Sequence, residues 1–237
     1  MRQRIIASIV ISLIAGPASA ALLGRSALTP GGTDYQAYYD DVQNITWLRN
    51  ANLPRSMSFG VEGICQGNDP MGSGCPENPG AMDWSTANDW IAAMNGASYL
   101  GTTDWRMPQT VQPDPGCDGR TNPYPAPRQN YGFGCTLSEM PHLHSDGITW
   151  YRPGPFINMA APEDVWSETS YAINTTYAWT FNFYAVGGFQ YAVPKGYKEF
   201  VWPVLDGDPF AVVPIPAAAW LFGGALGLLG AARRRIV

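Results

Sequence analysis

The stretch Tyr177-Ala178-Trp179-Thr180-Phe181-Asn182-Phe183 alternates large aromatic side chains with small or polar ones. A period of two is typical of a β-strand that buries one of its faces. Val186-Gly187-Gly188 predicts a turn into a further strand over Phe189–Val193, and Phe200–Leu205 predicts a last strand. We therefore expect the C-terminal half of the chain to consist of strands joined by turns.

Two earlier strands are predicted at Gln36–Tyr39 and Ile45–Arg49, with a turn over Asp40–Asn44 between them. A helix is predicted after Asp83, because Asp is a favoured N-cap residue, and Asn95-Gly96 ends it. The apolar positions with helical spacing are Trp84, Ala87, Ile91 and Met94.

A second, shorter helix is predicted to begin near Thr136, whose spacing to Glu139 is that of a capping box. No repeat of 20–50 residues is visible, which argues against a solenoid or a propeller. The part of the chain between its two ends therefore predicts one α+β domain.

Acidic residues outnumber basic ones in this central part. Residues 21–210 hold all 19 acidic residues but only nine of the basic ones. Proteins that bind nucleic acid need clustered Lys and Arg to neutralise phosphates, so we exclude nucleic acid as a partner. Nine Trp, 12 Tyr and 9 Phe with 14% charged residues also exclude a disordered chain.

The four cysteines allow three disulfide pairings. Cys65–Cys75 and Cys117–Cys135 are the local choice, because each pair closes a loop rich in Gly and Pro that would bury little apolar surface. A zinc site is the rival interpretation. No two cysteines have the short spacing of a zinc-binding pair, so we favour the disulfides.

The first twenty residues have the three parts of a secretory signal peptide. Arg2 and Arg4 form a basic start, Ile5–Ala15 is an apolar core, and Ala18-Ser19-Ala20 is a small-residue cleavage site. The apolar run is too short to span a bilayer. The pattern predicts export of the rest of the chain.

The other end of the chain is also apolar. Ala211–Ala232 carries no charge over 22 residues, which as a helix would extend about 33 Å. We expect a transmembrane helix at about residues 214–232. The basic tail at 233–237, with Arg233, Arg234 and Arg235, would remain on the cytoplasmic side.

A proline motif, an apolar helix and a basic tail follow one another in this segment. Val213-Pro214-Ile215-Pro216-Ala217 with the arginines resembles the PEP-CTERM class of sorting signals in its Val-Pro-Leu-Pro-Ala variant. The resemblance implies that residues 209–237 are a sorting segment. It also implies processing by an exosortase-type membrane protease and delivery to the cell surface or exopolysaccharide matrix. A permanent anchor is the alternative.

The central part resembles the Lcl C-terminal domain family over about residues 35–208, with residues 21–34 as a linker in front. The matching segments are Asn44–Asn52, Trp84–Asn95, Thr103–Pro108, Ser138–Leu143, Val165–Thr169, Ala178–Phe183 and Val201–Asp208. The resemblance implies a C-type-lectin-like fold with a twisted antiparallel sheet, two helices and long loops, here clipped by disulfides. The best-known activity in the family is adhesion to polyanionic glycans.

The most distinctive matching element is Asp104-Trp105-Arg106-Met107-Pro108. We expect a structural role for it, with Trp105 in the core. Arg106 would be a partly buried cation paired with a carboxylate such as Asp104, because Arg suits bidentate pairing. The family usually has Arg where Leu205 stands, so that basic contact is in doubt here.

Two groups of residues have metal-ligand chemistry. His142 and His144 lie near Glu139 and Asp146, but on a helix the two imidazoles would point apart, so no metal site is expected. Asp206-Gly207-Asp208 has the oxygen chemistry that Ca²⁺ prefers. Two carboxylates do not fill a site of 6–8 oxygens, and a polar linker is the expected role.

Aromatic residues are the candidates for contact with sugar rings, although aromatics in sheets more often pack against one another. The candidate glycan contacts are Trp150, Tyr151, Tyr171, Tyr177 and Tyr184.

The chain lacks the usual catalytic motifs. It has no G-x-S-x-G and no phosphate-binding loop, and Glu163 and Asp164 lie in what the sequence predicts to be a turn. The predicted fold also resembles that of formylglycine-generating enzymes, but those need reactive cysteines, which disulfides would consume.

The sequence as a whole predicts an exported, non-catalytic protein of the surface or matrix with a lectin-like binding domain and no cofactor. A structural or adhesive protein that binds protein is the first alternative, and a glycan-processing enzyme is the second. The excess of acidic residues predicts a glycan ligand that is neutral or weakly charged.

Overall fold

The computed structural model of the chain describes residues 21–67, 75, 79–120, 129–159, 164–184 and 187–211. The elements in these ranges are mostly strands. The strands are β1 (Leu22–Ala27), β2 (Tyr35–Asp40), β3 (Ile45–Leu48), β4 (Gly119–Arg120), β5 (Asn130–Tyr131), β6 (Asp164–Ser170), β7 (Tyr177–Asn182), β8 (Phe189–Pro194) and β9 (Val204–Asp206). The α-helices are α1 (Trp84–Gly96) and α2 (Glu139–Ser145).

The described strands form three antiparallel sheets, where one twisted sheet was expected. The four-stranded sheet has the order β1-β2-β3-β9, so the last strand completes a sheet that the first three begin. A three-stranded sheet has the order β6-β7-β8, and β4 pairs with β5 as a separate ribbon. The C-terminal half is therefore split between two sheets.

The expected fold class is wrong in a second respect. None of the helices in the described ranges is long and apolar enough to cross a membrane, and α1, the longest, has 13 residues. The transmembrane helix predicted at about 214–232 lies outside the described residues, as do the signal peptide at 1–20 and the sorting motif. The described protein is mostly sheet with two helices.

The N-terminal linker predicted at 21–34 contains β1. Leu22–Ala27 pairs with β2 along its whole length. Arg25 then fastens this edge strand to the end of the described chain, because its guanidinium donates hydrogen bonds to both carboxylate oxygens of Asp208. Residues 21–34 were expected to be a linker, and pairing with β2 makes Leu22–Ala27 a strand.

The first predicted helix is confirmed. Asp83 is the N-cap of α1 and accepts a hydrogen bond from the backbone N–H of Thr86 at 2.8 Å. The second helix begins later than expected. Ser138, not Thr136, stands at its N-cap without a side-chain capping bond, and the capping box does not form because Glu139 binds elsewhere.

Both predicted disulfides are confirmed: Cys65 pairs with Cys75, and Cys117 pairs with Cys135. Buried Asp114 organises the base of the second loop, since its carboxylate accepts hydrogen bonds from the backbone N–H groups of Gly116, Thr136 and Leu137. The covalent link and this carboxylate hold a segment with little regular structure.

In the described ranges, tryptophan side chains bond to other segments, and four of the five bonds join positions more than thirty residues apart. Five indole N–H groups donate to backbone carbonyl oxygens of other segments, at 2.7–3.0 Å. The donor and acceptor pairs are Trp84–Ser167, Trp90–Met57, Trp105–Tyr99, Trp166–Met82 and Trp202–Leu48. Each bond gives an indole N–H an acceptor, which matters most for the four tryptophans that are fully buried, Trp90, Trp105, Trp166 and Trp202.

The strand β7 is buried on both faces, although its alternation predicted one. Ala178 and Thr180 are as inaccessible as Trp179 and Phe181. Ala178 and Phe181 belong to the main core, whereas Trp179 packs on the ring of Tyr171 at 5.4 Å. A small residue can be as deeply buried as an aromatic one, so the alternation in size did not reveal that both faces of β7 are covered.

Candidate functional site

The Asp104–Pro108 element is held by contacts inside the protein. Trp105 is buried, and the side-chain amide of Asn95 bonds to both its backbone N–H and its carbonyl. Arg106 makes a backbone bridge to Val204 of β9. Pro108 is also buried, and its carbonyl accepts a hydrogen bond from the N–H of Glu168 at 2.9 Å. These contacts agree with a structural role.

Arg106 does not pair with Asp104, which is exposed. Its guanidinium binds Glu139 through two hydrogen bonds at 2.6 and 2.9 Å, and it also donates to Asp206 at 2.6 Å. Burial alone would lower the pKa of Arg106, but the hydrogen bonds from the two carboxylates outweigh it and raise that pKa. The cation is therefore fixed between α2 and β9.

The segment Asp206-Gly207-Asp208 is not the polar linker that was expected. Asp206 ends β9 and accepts from Arg106, whereas Asp208 accepts from Arg25. Each carboxylate is thus engaged by a different guanidinium. The pair of carboxylates does not form the start of a Ca²⁺ site.

Leu205 is fully buried in the core beside these charges. At the position where the resembled family usually has Arg, this chain has an apolar side chain, and that side chain lies in the apolar core. An aliphatic side chain at this place extends the core to the end of β9.

The two histidines point apart on α2, as a helix requires. His142 Nδ1 lies 3.3 Å from Asp146 Oδ2, whereas His144 packs against the rings of Phe181 and Phe183. Burial lowers the pKa of His144. The two imidazoles therefore do not share a metal site.

Asp40 brings a third ligand-type atom near His142 and Asp146, and the two carboxylate oxygens and the imidazole nitrogen lie within 4.8 Å of one another. Its carboxylate already accepts two backbone hydrogen bonds and one from the side chain of Gln43, all within its own turn. These bonds explain the position of Asp40 without an ion.

Three of the five candidate glycan contacts form one exposed cluster, the aromatic triad Trp150, Tyr151 and Tyr184. Their ring centroids are 4.7, 5.4 and 5.5 Å apart. The exposed fractions are 37% for Trp150, 64% for Tyr151 and 42% for Tyr184. A hydrogen bond with the Tyr184 hydroxyl raises the pKa of Tyr151.

Local backbone bonds bring the triad together. Trp150 and Tyr151 occupy a turn that two bonds between Thr149 and Arg152 close. The N–H of Trp150 donates to the carbonyl of Phe183 at 3.3 Å, directly before Tyr184. Residues more than thirty positions apart in the sequence therefore share one surface.

The other two candidates, Tyr171 and Tyr177, lie at a different place. They line a cavity of about 220 Å³ together with Tyr131 and Trp179. The N–H of Tyr171 donates to the carbonyl of Tyr177 at 3.0 Å, so the turn between β6 and β7 presents both rings. We call this space the tyrosine cavity.

Four residues that line the tyrosine cavity were not among the predicted contacts: Tyr131, Trp179, Tyr191 and Ala192. Trp179 has the same parity as Tyr177 in β7, a signal that was present in the sequence. Tyr131 lies inside the loop that Cys117 and Cys135 close. No local pattern connects it to β7, so only the tertiary structure brings it there.

Several cations are engaged in internal contacts. Arg25 and Arg106 bind carboxylates, Lys198 pairs with Asp83 at 3.0 Å, and Lys195 lies 3.9 Å from the ring centre of Trp84. Near the triad, Arg152 is exposed. In the described ranges, these four cations are engaged in internal contacts, so they do not form a basic patch on the surface.

Comparison of the chain with protein-family models, with curated proteins and with solved structures finds no match. The resemblances to the Lcl C-terminal domain and to the PEP-CTERM signal therefore rest on the motifs in the sequence.

Proposed function

We propose that this protein is an exported, non-catalytic glycan-binding module of the cell surface or exopolysaccharide matrix. The observation that carries the proposal is the aromatic triad of Trp150, Tyr151 and Tyr184. Three large aromatic side chains are in mutual contact, and each exposes more than a third of its surface. The resemblance to a lectin-like family supports the same conclusion.

The triad has the chemistry that a sugar ring requires. A pyranose presents apolar C–H faces and polar hydroxyl edges, and Tyr and Trp combine an apolar ring with a polar tip. Exposed aromatic side chains gathered in one place are a feature of binding sites, whereas single ones are common on any surface. The turn that holds Trp150 to Phe183 fixes the site before a ligand arrives.

Charge favours a neutral ligand. The nearest sequence neighbour with a charge is exposed Arg152, and Arg25, Arg106 and Lys198 are paired with carboxylates. A polyanion gains affinity by contact with several cations at once. The triad offers stacking and hydrogen bonds instead.

The proposal concerns binding alone. Chemistry of the formylglycine-generating type needs thiols, and all four cysteines are in disulfides. Disulfides also support an oxidising destination such as the cell exterior.

A glycan array probed with the full exported chain tests the proposal. We expect binding to neutral oligosaccharides, and at least a tenfold loss of affinity in the variant Trp150→Ala/Tyr151→Ala/Tyr184→Ala. Tyr197→Ala is the matched control, because Tyr197 is 56% exposed but is outside the triad. Equal binding by wild type and triple variant, or no glycan bound at all, would overturn the proposal.

The same array separates the alternatives. Release of shortened glycans would identify an enzyme. Failure with every glycan, together with binding of a purified surface protein that the triple variant loses, would identify a protein-binding adhesin.

For delivery, we propose that residues 209–237 act as the sorting segment that their sequence resembles. Mass spectrometry of the protein isolated from the outer surface should then show a form without Leu221–Val237. Replacing Pro214 and Pro216 should prevent delivery. A surface form that retains Val237 would contradict processing.

A further inference from the structure

The tyrosine cavity lies between the disulfide-closed loop and the sheet β6-β7-β8. Tyr131 of β5 forms one wall, and Tyr171 and Tyr177 form another. The loop is docked on the edge of β8 by two backbone hydrogen bonds between Gly132 and Gln190, at 2.8 and 3.0 Å. The cavity therefore depends on a contact that holds Tyr131 beside the sheet.

Among the described residues, the lining is aromatic and contains no Asp, Glu, Lys or Arg. Tyr131, Tyr171 and Tyr177 each supply a ring and a hydroxyl, and Ala192 of β8 is apolar. Tyr191 of β8 also lines the cavity, but its hydroxyl already donates to Asp164. Burial raises the pKa of Tyr171, and the neighbouring Tyr131 phenol raises it further.

Trp179 lines the same cavity and is almost fully buried. Its indole N–H has no hydrogen-bond partner within the described part of the chain, whereas five other indoles donate to carbonyl oxygens. An indole N–H that burial separates from water is costly unless an acceptor reaches it. The N–H exposes less than 1 Å² to solvent, so Trp179 offers the cavity its aromatic ring and not its donor.

Size and chemistry limit the occupant. A volume of about 220 Å³ is below the range of roughly 300–1,000 Å³ in which drug-sized ligands bind. A single ring fits this space and a long chain does not. Phenol hydroxyls and aromatic faces without a charge suit a neutral ring that carries several hydroxyl groups.

We propose that the tyrosine cavity is a second binding site, which takes one neutral pyranose ring, such as the end residue of a glycan. This site is separate from the triad. Tyr177 begins β7 and Tyr184 follows its end, a distance of roughly 20 Å along an extended strand. One sugar ring cannot reach both sites, so their occupants are bound independently.

The experiment uses methyl pyranosides of glucose, galactose, mannose and N-acetylglucosamine as probes. Saturation-transfer NMR is recorded on the full chain that carries the triad substitutions Trp150→Ala/Tyr151→Ala/Tyr184→Ala. At least one probe should give a signal. Adding Tyr171→Ala should weaken its affinity at least tenfold, whereas adding Tyr197→Ala should leave it unchanged.

Tyr171→Phe is the second variant, and it keeps the ring while it removes the hydroxyl. We expect a loss of several-fold in affinity with an unchanged melting temperature. This variant keeps the test decisive if the alanine substitution disturbs folding.

The inference is overturned if no probe binds the triad-substituted chain, or if Tyr171→Ala and Tyr171→Phe both bind as tightly as their parent. A negative result for the tyrosine cavity does not affect the proposed function. Oligosaccharide binding by the triad is tested separately, on the glycan array and without the methyl pyranosides.

Discussion

Arg106 binds both carboxylate oxygens of Glu139, at 2.9 and 2.6 Å, although the two residues are 33 positions apart in the sequence. Asp206 completes the arrangement on the same guanidinium at 2.6 Å. Arg106 therefore joins the loop after α1, the first turn of α2 and the end of β9. Both side chains of the main pair expose only 15% of their surface.

Arg106→Lys should lower the free energy of unfolding by about 2 kcal/mol, because an ammonium cannot make the bidentate contact with Glu139. Urea unfolding measures the change. Arg152→Lys at an exposed position is the control and should shift stability by less than about 0.5 kcal/mol. Equal stability of the two variants would show that the ion pair is not important for the fold.

Leu205→Arg should lower the free energy of unfolding by about 3–5 kcal/mol, because it places an unpaired charge in the core. Leu205→Met conserves volume and should cost less than about 1.5 kcal/mol. Thermal unfolding of both variants checks the difference. A Leu205→Arg protein as stable as the wild type would show that this buried position accommodates an arginine side chain.

Acidification should destabilise the protein through His144. Burial lowers its pKa in the folded state below the ordinary value of about 6.5, so the unfolded chain takes up the proton first. The stability that neutral His144 contributes is present above pH 6.5 and is lost as pH falls from there towards the folded pKa.

Urea unfolding at pH 7.5 and 5.0 tests this effect of pH. His144→Gln should lose less stability over that interval than wild type does. A response of His144→Gln identical to that of wild type would contradict the assignment.

Loss of the second disulfide should affect the tyrosine cavity as well as stability. Cys117→Ser/Cys135→Ser opens a loop with a separation of 18 residues, and the free energy of unfolding should fall by about 3 kcal/mol. Methyl pyranoside binding should weaken because Tyr131 loses its support. Cys65→Ser/Cys75→Ser should leave that binding intact, and equal effects of both pairs would rule out the special role of Tyr131.

Affinity for neutral oligosaccharides should be nearly independent of salt, because stacking and hydrogen bonds at the triad release no counterions. Titrations at 50 and 200 mM salt measure this. Binding of a heparin-like polymer that falls more than about tenfold over that range would reveal several ionic contacts. Such a result would mean that the ligand is a polyanion and not a neutral glycan.

Local signals in the sequence were sufficient for the elements that depend on near neighbours. Asp83 at the start of α1 and the disulfide that closes Cys65 to Cys75 are both present in the structure. The predicted strands at 36–39, 45–49, 177–183 and 189–193 correspond to β2, β3, β7 and β8. Capping, helical periodicity and short loop closure act over a few residues, and the sequence displays them directly.

Features that depend on distant neighbours were missed or misassigned. The segment that forms β1 was expected to be part of a linker. It is a strand because it pairs with β2, and this pairing is not visible in its local sequence. Asp164 was expected in a turn, but it begins β6, where pairing with β7 sets its conformation. The predicted last strand at 200–205 shortens to β9, because only Val204–Asp206 meets β3.

The sequence by itself determined the acidic balance and the local disulfide pairs, and it supplied the residue types suited to sugar rings. Only the tertiary structure decided that Arg106 meets Glu139 and Asp206, and that Trp150 and Tyr184 share a surface. It also placed Tyr171 and Tyr177 in a separate cavity with Tyr131. The reason is physical: residue chemistry and local backbone preference are encoded position by position, whereas proximity depends on how strands far apart in the chain pair and pack.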